Sequence, residues 1–232
     1  MYVLIHSPLV GPLTWSRVAV QLRERGQDVI VPSLQDSPDS KFPFWKQQAE
    51  SVSQALAGIP AEMPVLLVGH SGAGPLLPVI GSTIRNNVRA YVFADAGIPH
   101  HGASRLDLMK SEDAEWSAQF QAGLEQGWLF PEWSSEDLQE VIPDPELRRQ
   151  MVAELHPRGV SFFTEPIPVP KGWPDAPCSY IQFSAAYQEP AKQARAAGWP
   201  TYVLNAGHFH MLVNPVEVTD LIVNSVSDAS SK

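Results

Sequence analysis

Short apolar runs alternate along this chain with longer stretches whose apolar residues recur at helical spacing. The runs predict strands at residues 2–5, 28–31, 65–68, 88–94, 179–183 and 201–204. The stretches between them predict helices at residues 15–25, 45–57, 75–85, 190–197 and 216–226. Strands and helices that alternate in this way form a mostly parallel sheet with helices on both faces. The pattern therefore predicts an α/β fold with a doubly wound sheet of about six strands.

This alternation stops between residues 97 and 177. Helices are predicted there at residues 113–125, 135–141 and 145–155, and prolines and aromatic residues lie between them. We expect a helical lid at residues 97–177, inserted into a core that residues 1–96 and 178–232 form. Most of its aromatic side chains are expected to build the lid's own core, and a few to face a binding site.

A glycine-rich turn follows the apolar run at residues 65–68. Residues 69–74 read GHSGAG, and an apolar run from Pro75 begins a helix. Small residues around Ser71 allow strained backbone angles and a close approach of helix to strand. The turn lacks the lysine of a phosphate-binding loop and the G-x-G-x-x-G spacing of a dinucleotide site. The favoured interpretation is therefore a nucleophilic serine at the apex of the turn.

At this turn the chain resembles the α/β-hydrolase family, and Ser71 matches the family's nucleophile. The usual pattern is G-x-S-x-G, whereas here Ala73 stands at the second glycine and Gly72 precedes it. The resemblance extends over the strand and helix order, the insertion point and the loop after the last strand. It implies an α/β-hydrolase core, N-terminally trimmed by two strands, with a helical lid.

The resemblance also implies a base and an acid for Ser71. His208 follows the last predicted strand, where family members carry the base, and it is preferred to His210. Two carboxylates are candidates for the acid. Asp95 follows the strand after the nucleophile helix, and Glu189 ends the loop at residues 184–189, where the usual aspartate is missing. Asp95 is preferred to Glu189.

The oxyanion of an acyl-transfer reaction needs two N–H donors. Gly72, directly after the nucleophile, is expected to supply one. The loop after the first strand should supply the other, and because Pro8 has no N–H we predict Leu9. The wall of the substrate pocket is predicted to include His6, Pro8, Trp116, Trp128 and Phe162.

Composition narrows the classes of partner. Apolar residues make up 44% of the 232 positions, which is enough for a large core. The net charge of −9 disfavours nucleic acids and anionic membranes as partners. No apolar run reaches the ~20 residues of a membrane span, and the first residues lack the features of a signal peptide. We expect a cytoplasmic monomer or homodimer. With one cysteine and no histidine–carboxylate cluster at ligand spacing, we expect no metal and no cofactor.

These observations together predict a serine hydrolase. It would cleave a small apolar ester, thioester or lactone through an acyl-enzyme on Ser71. The alternative is a non-hydrolytic protein of the same fold: a lyase, a cofactor-free oxygenase or a ligand-binding receptor. The missing usual acid and Pro8 motivate the alternative, whereas the pair of Ser71 and His208 favours the hydrolase.

Overall fold

The computed structural model describes residues 1–229, and its centre is one six-stranded sheet. The strands are β1 (Tyr2–Ile5), β2 (Val29–Ile30), β3 (Val65–Ser71), β4 (Val88–Ala96), β5 (Cys178–Gln182) and β6 (Thr201–Val203). Their order across the sheet is β2-β1-β3-β4-β5-β6, and every pairing is parallel. The predicted α/β class and its six strands are confirmed. The last three residues, part of the expected core segment 178–232, lie outside the described range.

Helices follow the strands in the expected alternation. They are α1 (Leu13–Glu24), α2 (Phe44–Ala55), α3 (Leu77–Thr83), α4 (Arg105–Glu112), α5 (Ala114–Glu125), α6 (Pro145–Ala153), α7 (Val160–Thr164), α8 (Gln188–Ala196), α9 (His210–Val213) and α10 (Pro215–Ala229). A 3₁₀ turn at Gly74–Leu76 leads into α3. The chain therefore leaves the predicted serine turn through this 3₁₀ turn before regular helix begins.

The core consists of two apolar layers, one on each face of the sheet. Alternate residues of a strand point to opposite faces, and β3 supplies both layers. Val68 belongs to the layer that contains Trp15 of α1, whereas Leu67 belongs to the layer that contains Val52 of α2 and Ile80 of α3. All five side chains are inaccessible to solvent. Each contributes about 1.5–3 kcal/mol through burial, so the central strands are held rigidly.

The helical segment, residues 97–177, lies between β4 and β5. Its helices α5 and α6 confirm two of the predicted helices, with ends that differ by two residues or fewer. Leu106, Leu124, Phe162 and Phe163 form a small core within the segment. Helices α4 and α7 were not predicted, because eight and five residues are too few to show a clear apolar period.

The helix predicted at residues 135–141 is wrong, since this stretch forms successive turns. Pro143 follows closely, and the residue before a proline is disfavoured in a helix. The guanidinium of Arg148 donates hydrogen bonds to the carbonyls of Ile142 and Pro143, both at 2.8 Å. Arg148 therefore fixes the chain between this stretch and α6 in a non-helical conformation.

His6 stabilises the loop that follows β1. Its Nδ1 donates to the Ser7 carbonyl at 2.8 Å, and its Nε2 accepts from the Leu34 N–H at 3.2 Å. Burial lowers the pKa of His6 to about 4, so the imidazole is neutral at pH 7. The prediction that His6 lines the substrate pocket is corrected here. Its ring is fully buried and both of its nitrogens bind backbone groups, so it offers no surface to a substrate.

Replacement of His6 by glutamine should weaken the dependence of stability on pH. Between pH 7 and pH 5, His6 binds a proton in the unfolded chain, where its pKa is the ordinary 6.5, but not in the folded chain. Stability therefore falls as pH falls, and His6 accounts for roughly 2 kcal/mol of that loss. Urea unfolding of wild type and His6→Gln at both pH values measures the difference.

The matched control is His100→Gln, because His100 is exposed. It should keep the wild-type pH dependence. If His6→Gln and wild type lost equal stability between pH 7 and pH 5, His6 would have to bind a proton in the folded protein as readily as in the unfolded chain.

Candidate active site

Ser71 ends β3 in a strained backbone conformation. Its φ is 56°, in the left-handed region that residues other than glycine rarely adopt. The pairing of β3 with β4 shifts register between His70 and Ser71, so the chain turns sharply here. Gly74 makes the turn compatible with the sheet, because a Cβ at this position would collide with the Gly97 carbonyl oxygen. The turn therefore presents the Ser71 hydroxyl at the carboxyl end of the sheet.

Asp95 is a wholly buried carboxylate near the end of β4, also at positive φ (45°). Its Oδ1 accepts from the N–H groups of Phe183 and Ser184, at 2.8 and 3.0 Å. Its Oδ2 accepts from the Ser184 hydroxyl and from Nδ1 of His208, both at 2.7 Å. Four donors surround the two oxygens, so the buried charge is stabilised.

The two carboxylates that the sequence offers as candidates for the acid have different partners in the structure. Asp95 contacts His208, as described above. Glu189 lies in the first turn of α8, where its side chain is 45% exposed and pairs with Lys192 at 3.0 Å. The other candidate base, His210, pairs with Glu217 at 2.8 Å. The structure therefore brings Asp95 and His208 together and leaves Glu189 and His210 with other partners.

The imidazole of His208 is enclosed by two rings. The Tyr187 ring stacks on it, with centroids 5.0 Å apart and an interplanar angle of 3°. The His70 ring lies 4.4 Å away at 35°. Nε2 of His70 donates to the His208 carbonyl at 3.0 Å, and burial holds the pKa of His70 well below its usual value. His208 is thus fixed at one edge by Asp95 and on its faces by aromatic rings.

The hydroxyl of Ser71 shares a hydrogen bond with the Tyr187 hydroxyl, at 3.0 Å. The sequence alone indicates no role for Tyr187. A lone tyrosine after a strand carries no motif, and the single signal is its position in the loop where the family's usual aspartate is missing. Tyr187 is therefore a site residue that only the structure reveals.

A cavity of about 780 Å³ opens over Ser71. Three of the predicted wall residues, Pro8, Trp116 and Phe162, line it, together with Met109, Phe163 and Phe209. The prediction that Trp128 lines the pocket is corrected. Its side chain is 63% exposed and packs across Gly123, on the outer surface of α5. The wall is mainly apolar and aromatic, which suits an apolar ligand.

Both residues predicted to supply the oxyanion donors lie close to the Ser7 hydroxyl. The Leu9 N–H donates to Ser7 Oγ at 3.4 Å. The same Oγ lies 3.1 Å from the position that a Cβ on Gly72 would occupy. Ser7, Pro8, Leu9 and Gly72 all line the cavity, so the loop after β1 and the serine turn lie side by side in its wall.

Within residues 1–229, no group of three or more histidine, cysteine or acidic side chains is arranged to hold a metal ion. Over the same residues, every helix is too short or too polar to cross a membrane.

A parallel sheet with a strained serine at the end of a central strand defines a class of protein, the α/β hydrolases. The model of the alpha/beta hydrolase family matches residues 2–221 of this chain. The chain belongs to this family.

Two named relatives are similar to the chain over part of their length. The chain is 30% identical over 127 residues to a carbendazim hydrolyzing esterase of Nocardioides sp. (strain SG-4G). The aligned region covers 53% of this chain and 52% of that protein. It is 25% identical over 169 residues to Methylesterase 3 of Arabidopsis thaliana, with coverage of 65% and 64%. The chain thus matches about half of the first relative and under two thirds of the second. An extracellular alpha/beta-hydrolase from a Paenibacillus species shares the fold, with a TM-score of 0.76 at 17% identity and coverage of 97% and 98%.

Replacement of Gly74 by alanine should destabilise the protein. The new methyl group meets the backbone carbonyl of Gly97, which cannot move without disturbing β4. Overpacking of this kind costs about 1–3 kcal/mol in the free energy of unfolding, which urea denaturation measures.

Gly58→Ala is the matched control, because Gly58 is exposed and nothing lies within 4 Å of an added Cβ. Its free energy of unfolding should stay within about 0.5 kcal/mol of wild type. If Gly74→Ala were equally neutral, the close approach of the serine turn to β4 would be disproved.

Proposed function

We propose that the protein is a serine hydrolase that cleaves small apolar carboxylic esters, thioesters or lactones. The observation that carries the proposal is the 2.7 Å hydrogen bond between Asp95 and Nδ1 of His208, whose ring lines the same cavity as Ser71. This bond commits Nδ1 as a donor and leaves Nε2 as the nitrogen that can take a proton. Two relatives named as esterases, which the chain matches over part of their length, support the same reaction class.

The proposed reaction has two halves. In the first, Ser71 Oγ attacks the carbonyl carbon while its proton passes to Nε2 of His208. His208 then gives this proton to the leaving alcohol or thiol, and the acyl group stays on Ser71. In the second half, His208 takes a proton from water, which attacks the acyl-enzyme, and returns it to Oγ. Asp95 stays ionised throughout and stabilises the imidazolium form of His208.

The oxyanion of each tetrahedral intermediate would bind to the N–H groups of Gly72 and Leu9. In the free protein the Leu9 N–H donates to Ser7 Oγ over 3.4 Å, which is long for a hydrogen bond. A charged oxygen is a stronger acceptor than a hydroxyl and would therefore compete for this donor. Because Pro8 has no N–H, the loop after β1 would supply its oxyanion donor from Leu9, one residue further on.

The cavity favours small apolar substrates. Its volume of about 780 Å³ suits a small organic molecule, and Trp116 and Phe162 contribute flat apolar surface to the wall. The helical segment, residues 97–177, supplies both aromatic residues, and we assign it the role of a lid over the core formed by the rest of the chain. Water excluded by this wall would strengthen the polar interactions at Ser71.

Replacement of Ser71 by alanine should abolish hydrolysis of p-nitrophenyl butyrate, with a loss on the order of 10³-fold or more in kcat. The variant also cannot form the acyl adduct, which intact-mass measurement detects on wild type. The control is Ser82→Ala, since Ser82 is exposed on α3 and bonds to the Val79 carbonyl, away from the cavity.

Wild-type turnover by Ser71→Ala would disprove the proposal. Thermal stabilisation of wild type by a panel of esters and lactones, with neither product nor adduct, would support a ligand-binding receptor instead.

Replacement of Asp95 by asparagine should lower kcat on the order of 10³- to 10⁴-fold, because the asparagine amide favours the wrong tautomer of His208. Glu189→Gln, which removes the charge of the other candidate acid, should leave kcat within about twofold of wild type. Steady-state kinetics on the same ester measures both. The opposite ranking would transfer the role of the acid to Glu189.

A further inference from the structure

One side chain outside the proposed triad contacts both of its proton-transferring members. The Tyr187 hydroxyl lies 3.0 Å from Ser71 Oγ, and the Tyr187 ring stacks on His208. We propose that Tyr187 is a further catalytic residue, whose hydroxyl donates a hydrogen bond to Oγ and stabilises the negative charge that develops on it. This role rests on the proposed hydrolase function.

The chain positions Tyr187 through the same carboxylate that binds His208. Asp95 accepts from both the N–H and the hydroxyl of Ser184. A single 3₁₀ turn, Ala185–Tyr187, follows, and α8 begins at Gln188. Because Ser184 is fixed at one end of this turn and α8 at the other, the Tyr187 ring is placed over the imidazole. Asp95 therefore sets the geometry of Tyr187 as well as that of His208.

The hydrogen bond between Tyr187 and Ser71 is compatible with proton transfer to His208. A serine hydroxyl can accept one hydrogen bond while it donates another. Ser71 can thus accept from Tyr187 and donate to the imidazole at the same time. As the proton moves to His208, charge builds on Oγ and the bond from Tyr187 becomes charge-assisted, which strengthens it.

The same bond would act again in the second half of the reaction. When water has attacked the acyl-enzyme, the bond between the acyl carbon and Oγ breaks and Oγ departs with the electron pair. Tyr187 stabilises this oxygen until His208 returns the proton to it. The phenolic proton stays on Tyr187 in both halves, so no further reactant is required.

The ring and the hydroxyl of Tyr187 can be tested separately. Tyr187→Phe retains the ring that stacks on His208 and removes only the oxygen. The matched control is Tyr91→Phe, because the Tyr91 hydroxyl also makes a strong hydrogen bond, to Asp175 at 2.8 Å, but Tyr91 lies in the apolar layer between β4 and α3, outside the cavity. A residue that serves only to pack the site would tolerate Tyr187→Phe.

Two rates are measured for wild type, Tyr187→Phe, Tyr91→Phe and Ser71→Ala. The first is kcat for p-nitrophenyl butyrate, and the second is the rate at which a fluorophosphonate labels the protein, followed by intact mass. Tyr187→Phe should lower both rates roughly 10- to 100-fold, as expected for loss of a hydrogen bond to a charged group, with KM changed by less than about threefold. Tyr91→Phe should change neither rate by more than about twofold.

Three results would overturn the role of Tyr187. They are wild-type rates in Tyr187→Phe, a change confined to KM, or an equal loss in Tyr91→Phe. In each of these cases Ser71→Ala would still be inactive and unlabelled, and the hydrolase function would stand. Label and turnover retained in Ser71→Ala would instead overturn the hydrolase function itself.

Discussion

The site depends on how one buried carboxylate is satisfied. Asp95 has no access to water, so its charge is tolerable only if the protein supplies donors to both oxygens. Those donors come from the residues that follow β5 and from the loop that follows β6. Satisfying the charge thus fixes three separate stretches of chain against one another. The positions of His208 and of the turn that carries Tyr187 both follow from this requirement.

The same edge of the sheet stores backbone strain. Ser71 and Asp95 are the two residues other than glycine with positive φ over the described part of the chain, and they lie at the carboxyl ends of neighbouring strands, Ser71 as the last residue of β3 and Asp95 as the last but one of β4. Each such backbone conformation costs about 1–3 kcal/mol and persists only when the packing around it holds the backbone in place. The two apolar layers on either face of β3 and β4 provide that enforcement. The rigid centre of the sheet therefore aims both side chains into one region.

Family membership leaves the chemistry open, because one fold supports many reactions. Support for ester hydrolysis comes from the site. Asp95 binds Nδ1 of His208, the strained turn presents Ser71, and aromatic residues from the helical segment line the cavity that Ser71 and His208 share. A wall of this kind lowers the local dielectric, so each properly placed hydrogen bond has more effect than it would in water. The bond between Tyr187 and Ser71 is one of these.

The sequence alone determined the α/β class, the six strands and the serine turn, because these depend on patterns within short windows of chain. It did not decide which carboxylate binds His208, since Asp95 is 113 residues away and Glu189 is closer in sequence. It gave no role to Tyr187 and misplaced His6 and Trp128. Contacts of this kind depend on side-chain direction and on which strand ends meet. Packing of the whole chain sets both, so only the tertiary structure decides them.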